Sequence, residues 1–332
     1  MKYTKLFCLL VLVSSCAQQD DIDQLTIYTS RQPQLIEPLL EQYKALTGID
    51  VALLSGNATQ LMERIIVEGD ATEADIFMTV DAGVLWQAGE KGIFENIESE
   101  TLSQNIPLHL RDADGKWFGL SKRARTIVYS SDAVSSDDLS SYEDLALPKW
   151  NNKLCLRTST KVYNRSLIAS MIDAQGLEHS KMVVQGWVNN LATEVFSSDT
   201  QVLKAVSAGQ CAVTIVNTYY LARLADDPQY SNLKLHWANQ KSRGTHVNIS
   251  GAGVVKSSKN KDAATKLLEW LSSEEAQESY ADANKEFPVK SGIQVGETLK
   301  GWGEFKEDLI SVEKLGSLQK EAVLLAQQAG YK

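Results

Sequence analysis

Histidine and cysteine are scarce in this sequence, with four of each among 332 residues. No H-E-x-x-H pattern is present, which excludes the usual helical zinc site of metalloproteases, and no Cys-x-x-Cys redox motif occurs. P-loop, G-x-S-x-G and completed G-x-G-x-x-G patterns are also missing, so the familiar nucleotide-binding and hydrolase signatures are excluded. The histidines are scattered through the chain, which is typical of surface or structural residues: His109, His179, His236 and His246.

Positive charge is in short supply as well. The chain has 33 Lys and Arg against 42 Asp and Glu, and its formal net charge is −9. An acidic chain without a basic patch argues against nucleic acid as a partner. It is compatible with a cationic ligand, although acidity alone is weak support for one.

The longest apolar run near the start is only eight residues, Leu6–Val13, too short to cross a bilayer as a helix. It follows two lysines and leads into Val13–Cys16, which looks like a bacterial lipobox. We therefore predict a lipoprotein signal peptide at residues 1–15, lipidation of Cys16 and a polar tether over residues 16–24. The alternative is a plain signal peptide cut a few residues later. Either way the protein is exported, and lipidation predicts a periplasmic or cell-surface location.

The remaining cysteines form one even pair. Cys8 leaves with the signal peptide and Cys16 takes the lipid, so Cys155 and Cys211 are left. In an oxidising compartment we expect a disulfide between them, and two buried free thiols are the alternative.

Short apolar strands alternate with helical patterns in the first part of the chain. Strand-like runs at residues 25–28, 51–54 and 74–78 are each followed by apolar residues at helical spacing. This β-α-β-α-β order predicts an α/β fold with a parallel sheet covered by helices. Residues 117–120 and 126–129 are predicted as crossing strands with Lys122 to Arg125 between them, and a second α/β series begins near residue 153.

Two α/β lobes joined by crossing strands predict a hinged cleft. We assign residues 25–122 and 247–297 to lobe 1, and residues 123–246 and 298–332 to lobe 2. Clefts between lobes are preferred ligand sites, and periplasmic binding proteins close such clefts by hinge motion. The candidate ligand residues should therefore face this cleft.

Three tyrosines stand where strands are predicted to give way to helices in lobe 2. Tyr219 and Tyr220 follow the apolar run Cys211–Val216, with the helix-capping residue types Asn217 and Thr218 just before them, and Tyr163 opens an earlier helix. Ligands bind beyond the carboxyl ends of strands in open α/β sheets, so three phenols would point into one crevice. The alternative is that they are ordinary packing aromatics.

Phenolate is a hard ligand suited to a hard, highly charged cation. A free phenol has a pKa of about 10, so ligation at neutral pH requires a cation that displaces the proton, as Fe(III) does. Three phenolates would leave coordination positions for a small anion. Arg31, Arg123 and Arg125 are interpreted as its binding residues, with surface charge or inter-lobe ion pairs as the alternative. The hydroxyls of Thr158, Ser159 and Thr160 would donate to the anion or only cap a helix.

Seven segments of the chain are specific when taken together: Tyr28–Pro33, Ala74–Phe77, Trp117–Arg125, Tyr163–Leu167, Asn217–Tyr220, Asn248–Gly253 and Glu286–Val289. In these segments the sequence resembles the bacterial periplasmic ferric-iron-binding proteins of ABC importers, and the resemblance covers nearly the whole mature chain. The resemblance implies a type-II two-lobed binding-protein fold, no enzymatic activity, and ferric-ion delivery to a permease in the inner membrane. Its tyrosine ligands fall on Tyr219 and Tyr220, and in one subgroup also on Tyr163.

The sequence departs from many family members in lobe 1. Where they place His or His-Tyr after the first strand, this chain has Gln32 and Pro33, and Val80 stands where some supply a carboxylate. The resemblance is therefore to the subgroup with three tyrosines and a synergistic carbonate or bicarbonate, held by Arg31 and Arg123 with Arg125 assisting. Asp81 is a further, less favoured ligand candidate. We expect a monomer whose only membrane contact is its lipid.

Three other functions are compatible with these residues. A receptor for an organic anion such as a sugar phosphate would use the arginines and bind without metal. A tyrosinate-iron oxygenase would turn over an organic substrate, although no histidine accompanies the tyrosines. A structural lipoprotein would show no stabilisation by any ligand.

Overall fold

The computed structural model describes residues 22–332, and the predicted signal peptide and lipidated Cys16 lie outside this range. Its first half alternates strands and helices, as the apolar spacing predicts. The elements are β1 (Gln24–Thr29), α1 (Glu37–Thr47), β2 (Asp50–Ser55), α2 (Ala58–Glu68), β3 (Ile76–Thr79), α3 (Ala82–Glu90), α4 (Glu100–Asn105), β4 (Phe118–Ser130), β5 (Leu154–Cys155) and α5 (Val162–Gln175).

The second half adds three strands and most of the helices. These elements are α6 (Leu177–Asn189), α7 (Asp199–Ser207), β6 (Val213–Asn217), α8 (Thr218–Ala222), β7 (Leu233–His236), β8 (Val247–Val254), α9 (Lys261–Leu271), α10 (Glu274–Asn284), α11 (Glu297–Gly301), α12 (Val312–Ser317) and α13 (Gln319–Gln328). No helix within residues 22–332 is both long and apolar enough to cross a membrane.

The eight strands of the described chain form one mixed sheet. Its order is β2-β1-β3-β8-β4-β6-β5, and β7 also pairs with β4. The β1–β2, β1–β3 and β5–β6 pairs are parallel, as the alternating pattern predicts, whereas β8 runs antiparallel to β3 and β4. Strands β5 and β6 therefore end side by side, which brings the loops that follow them together.

Strand β4 corrects the prediction of two strands separated by Lys122 to Arg125. It is continuous over thirteen residues: its first part pairs with β8, and its second part pairs with β6 and β7. A basic run is stable inside this strand because the guanidiniums of Arg123 and Arg125 are buried with hydrogen-bond acceptors. The strand thus carries both arginines into the interior.

In the C-terminal region the sequence predicts one helix over residues 306–330, and the structure differs from this prediction. Residues 306–308 instead pair with Thr245 through backbone hydrogen bonds, and α12 begins at Val312. Helix α12 packs between α3 and α5, where a Cβ on Gly316 would lie 2.3 Å from the Cβ of Trp86. A glycine is therefore required for this close helix packing.

Candidate functional site

A cavity of about 310 Å³ brings the predicted tyrosines together with two of the predicted arginines. Most of its lining is polar or aromatic, and the charged side chains in it are predominantly cationic. The residues that line it are Ser30, Arg31, Gln32, Leu35, Val80, Arg123, Arg157, Lys161, Tyr163, Tyr219, Tyr220, Arg223, Ser250 and Glu286.

The three tyrosines, which we call the phenol cluster, are presented by two helix starts. Tyr163 is the second residue of α5, and Tyr219 and Tyr220 are the second and third residues of α8, directly after β6. The rings of Tyr219 and Tyr220 lie 4.3 Å apart between centroids. Adjacent residues in the first turn of a helix thus both reach one cavity, as the sequence pattern predicts.

Burial keeps the phenols of Tyr163 and Tyr219 protonated in the metal-free protein. Burial raises the pKa of Tyr219 well above its ordinary value, and the neighbouring Tyr163 and Tyr220 raise it further, because a second negative charge would be repelled. Burial also raises the pKa of Tyr163, although the charge of Arg123 opposes the shift. The guanidinium of Arg123 lies 5.3 Å from the Tyr163 ring centroid. Ionisation of these phenols therefore requires an additional cation.

Arg31, Arg123, Ser250 and Glu286 form a second group in the same cavity, the guanidinium cluster. The Ser250 hydroxyl accepts hydrogen bonds from Arg31 Nη1 at 2.9 Å and from Arg123 Nη1 at 3.1 Å. Arg123 also donates to the carbonyl of Val80. The Nε atoms of both arginines are buried and make no hydrogen bond within the described residues. Paired guanidiniums with spare donors suit a small planar oxyanion.

Glu286 is the only carboxylate among the cavity-lining residues. Its Oε2 atom lies 3.1 Å from Arg31 Nη2 and also accepts a hydrogen bond from the Ser121 hydroxyl. Burial works against its ionisation, but Arg31, Arg123 and these hydrogen bonds outweigh burial, so its pKa lies below its usual range. Glu286 is therefore an ionised counter-charge within the guanidinium cluster.

Arg125 does not line the cavity, which corrects its assignment as an anion-binding residue. Its guanidinium donates to Asn164 Oδ1 at 2.7 Å, Asn217 Oδ1 at 3.1 Å and Asp199 Oδ1 at 3.2 Å. No donor is left for an anion because the pocket around it is already rich in acceptors. Asn164 follows Tyr163, and Asn217 comes two residues before Tyr219. Arg125 therefore ties together the segments that carry the phenol cluster.

Asp81 also lies outside the cavity lining, so the structure does not support it as a ligand. Its carboxylate caps α3 by accepting from the Gly83 amide at 2.9 Å, and it accepts from Ser166 Oγ at 3.0 Å and Asn248 Nδ2 at 2.9 Å. Burial raises its pKa, although these hydrogen bonds and the charge of Arg123 oppose the shift. These three hydrogen bonds hold the carboxylate against α3, α5 and β8, away from the cavity lining.

The hydroxyls of residues 158–160 neither line the cavity nor cap α5. Thr158 Oγ1 and Thr160 Oγ1 lie 3.1 Å apart, and Ser159 Oγ donates to the carbonyl of Tyr331 at 2.8 Å. The N-cap residue of α5 is Lys161, which makes no side-chain capping bond. These hydroxyls stabilise the loop itself rather than a ligand.

A disulfide joins Cys155 and Cys211, whose Cα atoms are 5.8 Å apart. Cys155 ends β5, and Cys211 comes two residues before β6 begins. The bond therefore links the two parallel strands that lead to the phenol cluster.

Four charged residues of the cavity are absent from the sequence-based prediction: Arg157, Lys161, Arg223 and Glu286. Arg157 and Lys161 stand in the same strand-to-helix connection as Tyr163, and that position is a usable signal for them. Glu286 has no such signal because its partner Arg31 is 255 positions away in the chain. With Arg31 and Arg123, the cavity has five cationic side chains and one carboxylate. Within residues 22–332, no cluster of three or more His, Cys, Asp or Glu residues could hold a metal ion.

Comparison with known proteins identifies the family. The model of the bacterial extracellular solute-binding protein family matches residues 28–278. The chain belongs to this family. Iron uptake protein A1 of Synechocystis is 41% identical to it, in an alignment covering 97% of this chain and 93% of the relative.

Two solved structures show how closely the fold of this solute-binding protein is shared. The structure of the Trichodesmium protein IdiA, or FutA, in complex with iron and citrate ligands has a TM-score of 0.89 at 42% identity, covering 93% of this chain and 100% of that one. The ferric binding protein from Campylobacter jejuni has a TM-score of 0.87 at 35% identity, with 93% and 100% covered. The predicted two-lobed binding-protein fold and the family resemblance are thus confirmed, and the family is one of solute transport rather than of enzymes.

Proposed function

We propose that this protein binds Fe(III) outside the cytoplasm as the solute-binding component of an ABC iron importer. The observation that carries the proposal is the convergence of Tyr163, Tyr219 and Tyr220 on one cavity lined by cationic side chains. The names of its relatives, an iron uptake protein and a ferric binding protein, support iron as the cargo.

The phenol cluster is the proposed metal site. Phenolate oxygens match the hardness and charge of Fe(III), and the ion would displace the protons that burial otherwise keeps on Tyr163 and Tyr219. Histidine and carboxylate clusters that would favour Zn²⁺ or Ca²⁺ are absent from the described residues. The donor set therefore discriminates in favour of a trivalent cation.

Arg31 and Arg123 are the proposed partners of a carbonate or bicarbonate ion. Both carry donors without protein acceptors and share the Ser250 hydroxyl, so they offer a compact anion site next to the phenols. Gln32 and Val80 both line the cavity, but a neutral amide is a poorer ligand for Fe(III) than an anionic oxygen, and valine has no donor atom in its side chain. Coordination positions that the protein leaves open would be filled by this anion.

The proposed lobes are residues 25–122 with 247–297, and residues 123–246 with 298–332. Lobe 2 would bind iron first through the phenols, and lobe 1 would then close over it. We further propose that the protein is a monomer, anchored by lipid on Cys16 in the periplasm or at the cell surface, and that it delivers iron to an inner-membrane permease.

The test is a titration of the metal-free protein, produced from the residue after Cys16, with chelated Fe(III) in the presence and absence of bicarbonate. We expect a visible phenolate-to-iron absorption band that strengthens with bicarbonate. A band without bicarbonate dependence would overturn the carbonate assignment and retain the iron site. No band would overturn the iron assignment.

The surplus of cations in the cavity favours one alternative, a receptor for an organic anion such as a sugar phosphate. Arg157, Lys161 and Arg223 add to the guanidinium cluster, and Glu286 is the only compensating carboxylate. This alternative predicts that a sugar phosphate raises the melting temperature of the metal-free protein, whereas the ferric assignment predicts no stabilisation by a sugar phosphate in the absence of iron.

A further inference from the structure

Tyr331, at the far end of the described chain, folds onto the loop that leads to Tyr163. It follows α13, is 3% exposed, and its hydroxyl donates to the carbonyl of Arg157 at 2.5 Å. Ser159 adds two hydrogen bonds to the same segment. Its Oγ donates to the carbonyl of Tyr331 at 2.8 Å, and its backbone amide donates to the carbonyl of Lys332 at 2.7 Å. Three hydrogen bonds thus fix residues 157–159 to this segment.

The same loop is bound by α5. Asn164 Nδ2 donates to the carbonyls of Arg157 at 3.0 Å and Thr158 at 2.9 Å, while its Oδ1 accepts from Arg125. The carbonyl of Arg157 therefore has two donors, one from Tyr331 and one from Asn164. Both of its lone pairs are used, which fixes the direction of the peptide unit.

This loop determines where three cavity side chains lie. The guanidinium of Arg157 reaches Asp199 Oδ2 at 2.8 Å and lies 5.6 Å from the ring centroid of Tyr163. Lys161 lines the cavity four residues later, and Tyr163 follows it. Tyr331 itself does not line the cavity, so any effect it has on a ligand must pass through the loop.

We propose that Tyr331 is a positioning residue of the metal site, acting through the Arg157 peptide on Tyr163. The inference rests on the proposed ferric function. Loss of a group that hydrogen-bonds a metal ligand typically lowers metal affinity by about 10–100-fold. Tyr331 does not bond the ligand Tyr163 itself but the loop that positions it, so its effect should be smaller. Loss of its hydroxyl should therefore weaken Fe(III) binding by about three- to tenfold.

The experiment compares Tyr331→Phe with Tyr28→Phe in the purified metal-free protein. Tyr28 is a matched control because it is also a buried tyrosine with a bonded hydroxyl, which donates to Glu68 Oε2 at 3.1 Å outside the cavity. Fe(III) affinity is measured by competition with citrate, the visible band is recorded, and folding is monitored by circular dichroism and thermal unfolding.

We expect both variants to fold with a modest loss of melting temperature. Only Tyr331→Phe should weaken iron binding and shift the wavelength of the phenolate band, because only there does a ligand change position. Wild-type affinity and an unchanged band in folded Tyr331→Phe would overturn the inference. A wild-type protein without any band would overturn the proposed function instead, so the two failures are distinguishable.

Discussion

The phenol cluster and the guanidinium cluster share one cavity but are built differently. The three tyrosines occupy two helix starts behind neighbouring parallel strands, and a disulfide links those strands. The guanidinium cluster is assembled from four distant segments, with its members at positions 31, 123, 250 and 286. One cluster is thus a product of local structure and the other of tertiary packing. If the proposed function is right, substitutions in one cluster should mainly change metal binding and substitutions in the other should mainly change the response to bicarbonate.

The largest expected effect is on the phenol cluster itself. Tyr219→Phe removes one proposed ligand and keeps the ring, so Fe(III) affinity should fall about a thousandfold, or about 4 kcal/mol. Competition with citrate measures the loss. Tyr230→Phe is the control, because Tyr230 is a buried tyrosine of the same half outside the site cavity. Equal affinities of the two variants would remove Tyr219 from the site.

Acid should weaken iron binding through the same cluster. Burial holds the pKa of Tyr163 and Tyr219 above the ordinary value, so both phenols are protonated at neutral pH and must release a proton when the metal binds. Each released proton makes the apparent affinity fall by about tenfold per pH unit of acidification. Two released protons over two pH units give an expected loss of about 10,000-fold between pH 8 and pH 6, measured by competition titrations. Tyr219→Phe should show a shallower slope, and an identical slope would contradict the assignment.

His246 provides a way to separate acid effects on the fold from those on the site. Burial, followed by the charges of Arg243, Arg125 and Arg123, lowers its pKa to about 3. The unfolded chain takes up this proton near pH 6.5 and the folded chain does not. Stability is therefore lost as the pH falls from about 6.5 towards 3, by up to about 1.4 kcal/mol per pH unit. His246→Phe should flatten this dependence in denaturant titrations and leave the pH slope of iron affinity unchanged.

A smaller effect on affinity is expected from the guanidinium cluster. Arg31→Gln should abolish the bicarbonate enhancement and weaken iron binding by about tenfold, since one of two charge-assisted anion contacts is lost. The single variant also leaves Glu286 buried without its ion pair, at a cost of about 3 kcal/mol in stability. Arg31→Gln combined with Glu286→Gln should recover stability but not the bicarbonate effect. Recovery of both in the double variant would show that Arg31 acts only as the partner of Glu286.

The smallest effect on affinity should come from the disulfide. Replacing Cys155 and Cys211 by alanine removes a cross-link that spans 56 positions and should lower the free energy of unfolding by about 2–4 kcal/mol. The tyrosines stay on their helices, so iron affinity at 25 °C should change little. Denaturant unfolding measures the free energy of unfolding, and competition with citrate measures the iron affinity. Two titratable thiols in the denatured, unreduced wild-type protein would contradict the pairing.

The two clusters also differ in how far the sequence predicts them. Apolar strands followed by helix-capping residues are local patterns, so the sequence by itself is enough to place Tyr163, Tyr219 and Tyr220 in one crevice. The assignment of Arg125 to the anion is wrong because its acceptors, Asn164 and Asp199 among them, are tens of residues away. Residue type predicts its charge but not its partners.

Long-range contacts also explain the other features that could not be predicted from the sequence. The bond from Tyr331 to the Arg157 carbonyl spans 174 positions, and no periodicity in either segment indicates it. The continuity of β4 through Arg123 could not be predicted from the sequence for a related reason. A basic run resembles a solvent-exposed turn unless its buried acceptors, such as Ser250, are known.

The cavity and the whole chain carry opposite charge, and this has a consequence for the order in which ligands arrive. The net charge of −9 attracts cations from a distance, whereas five cationic side chains around the cavity repel a bare trivalent ion at short range. Under the proposed function, a ferric ion would therefore reach the phenols most readily once an anion has entered the cavity, or when the ion arrives bound to one. The association rate should rise with bicarbonate concentration at low ionic strength and lose that dependence as salt screens the cavity.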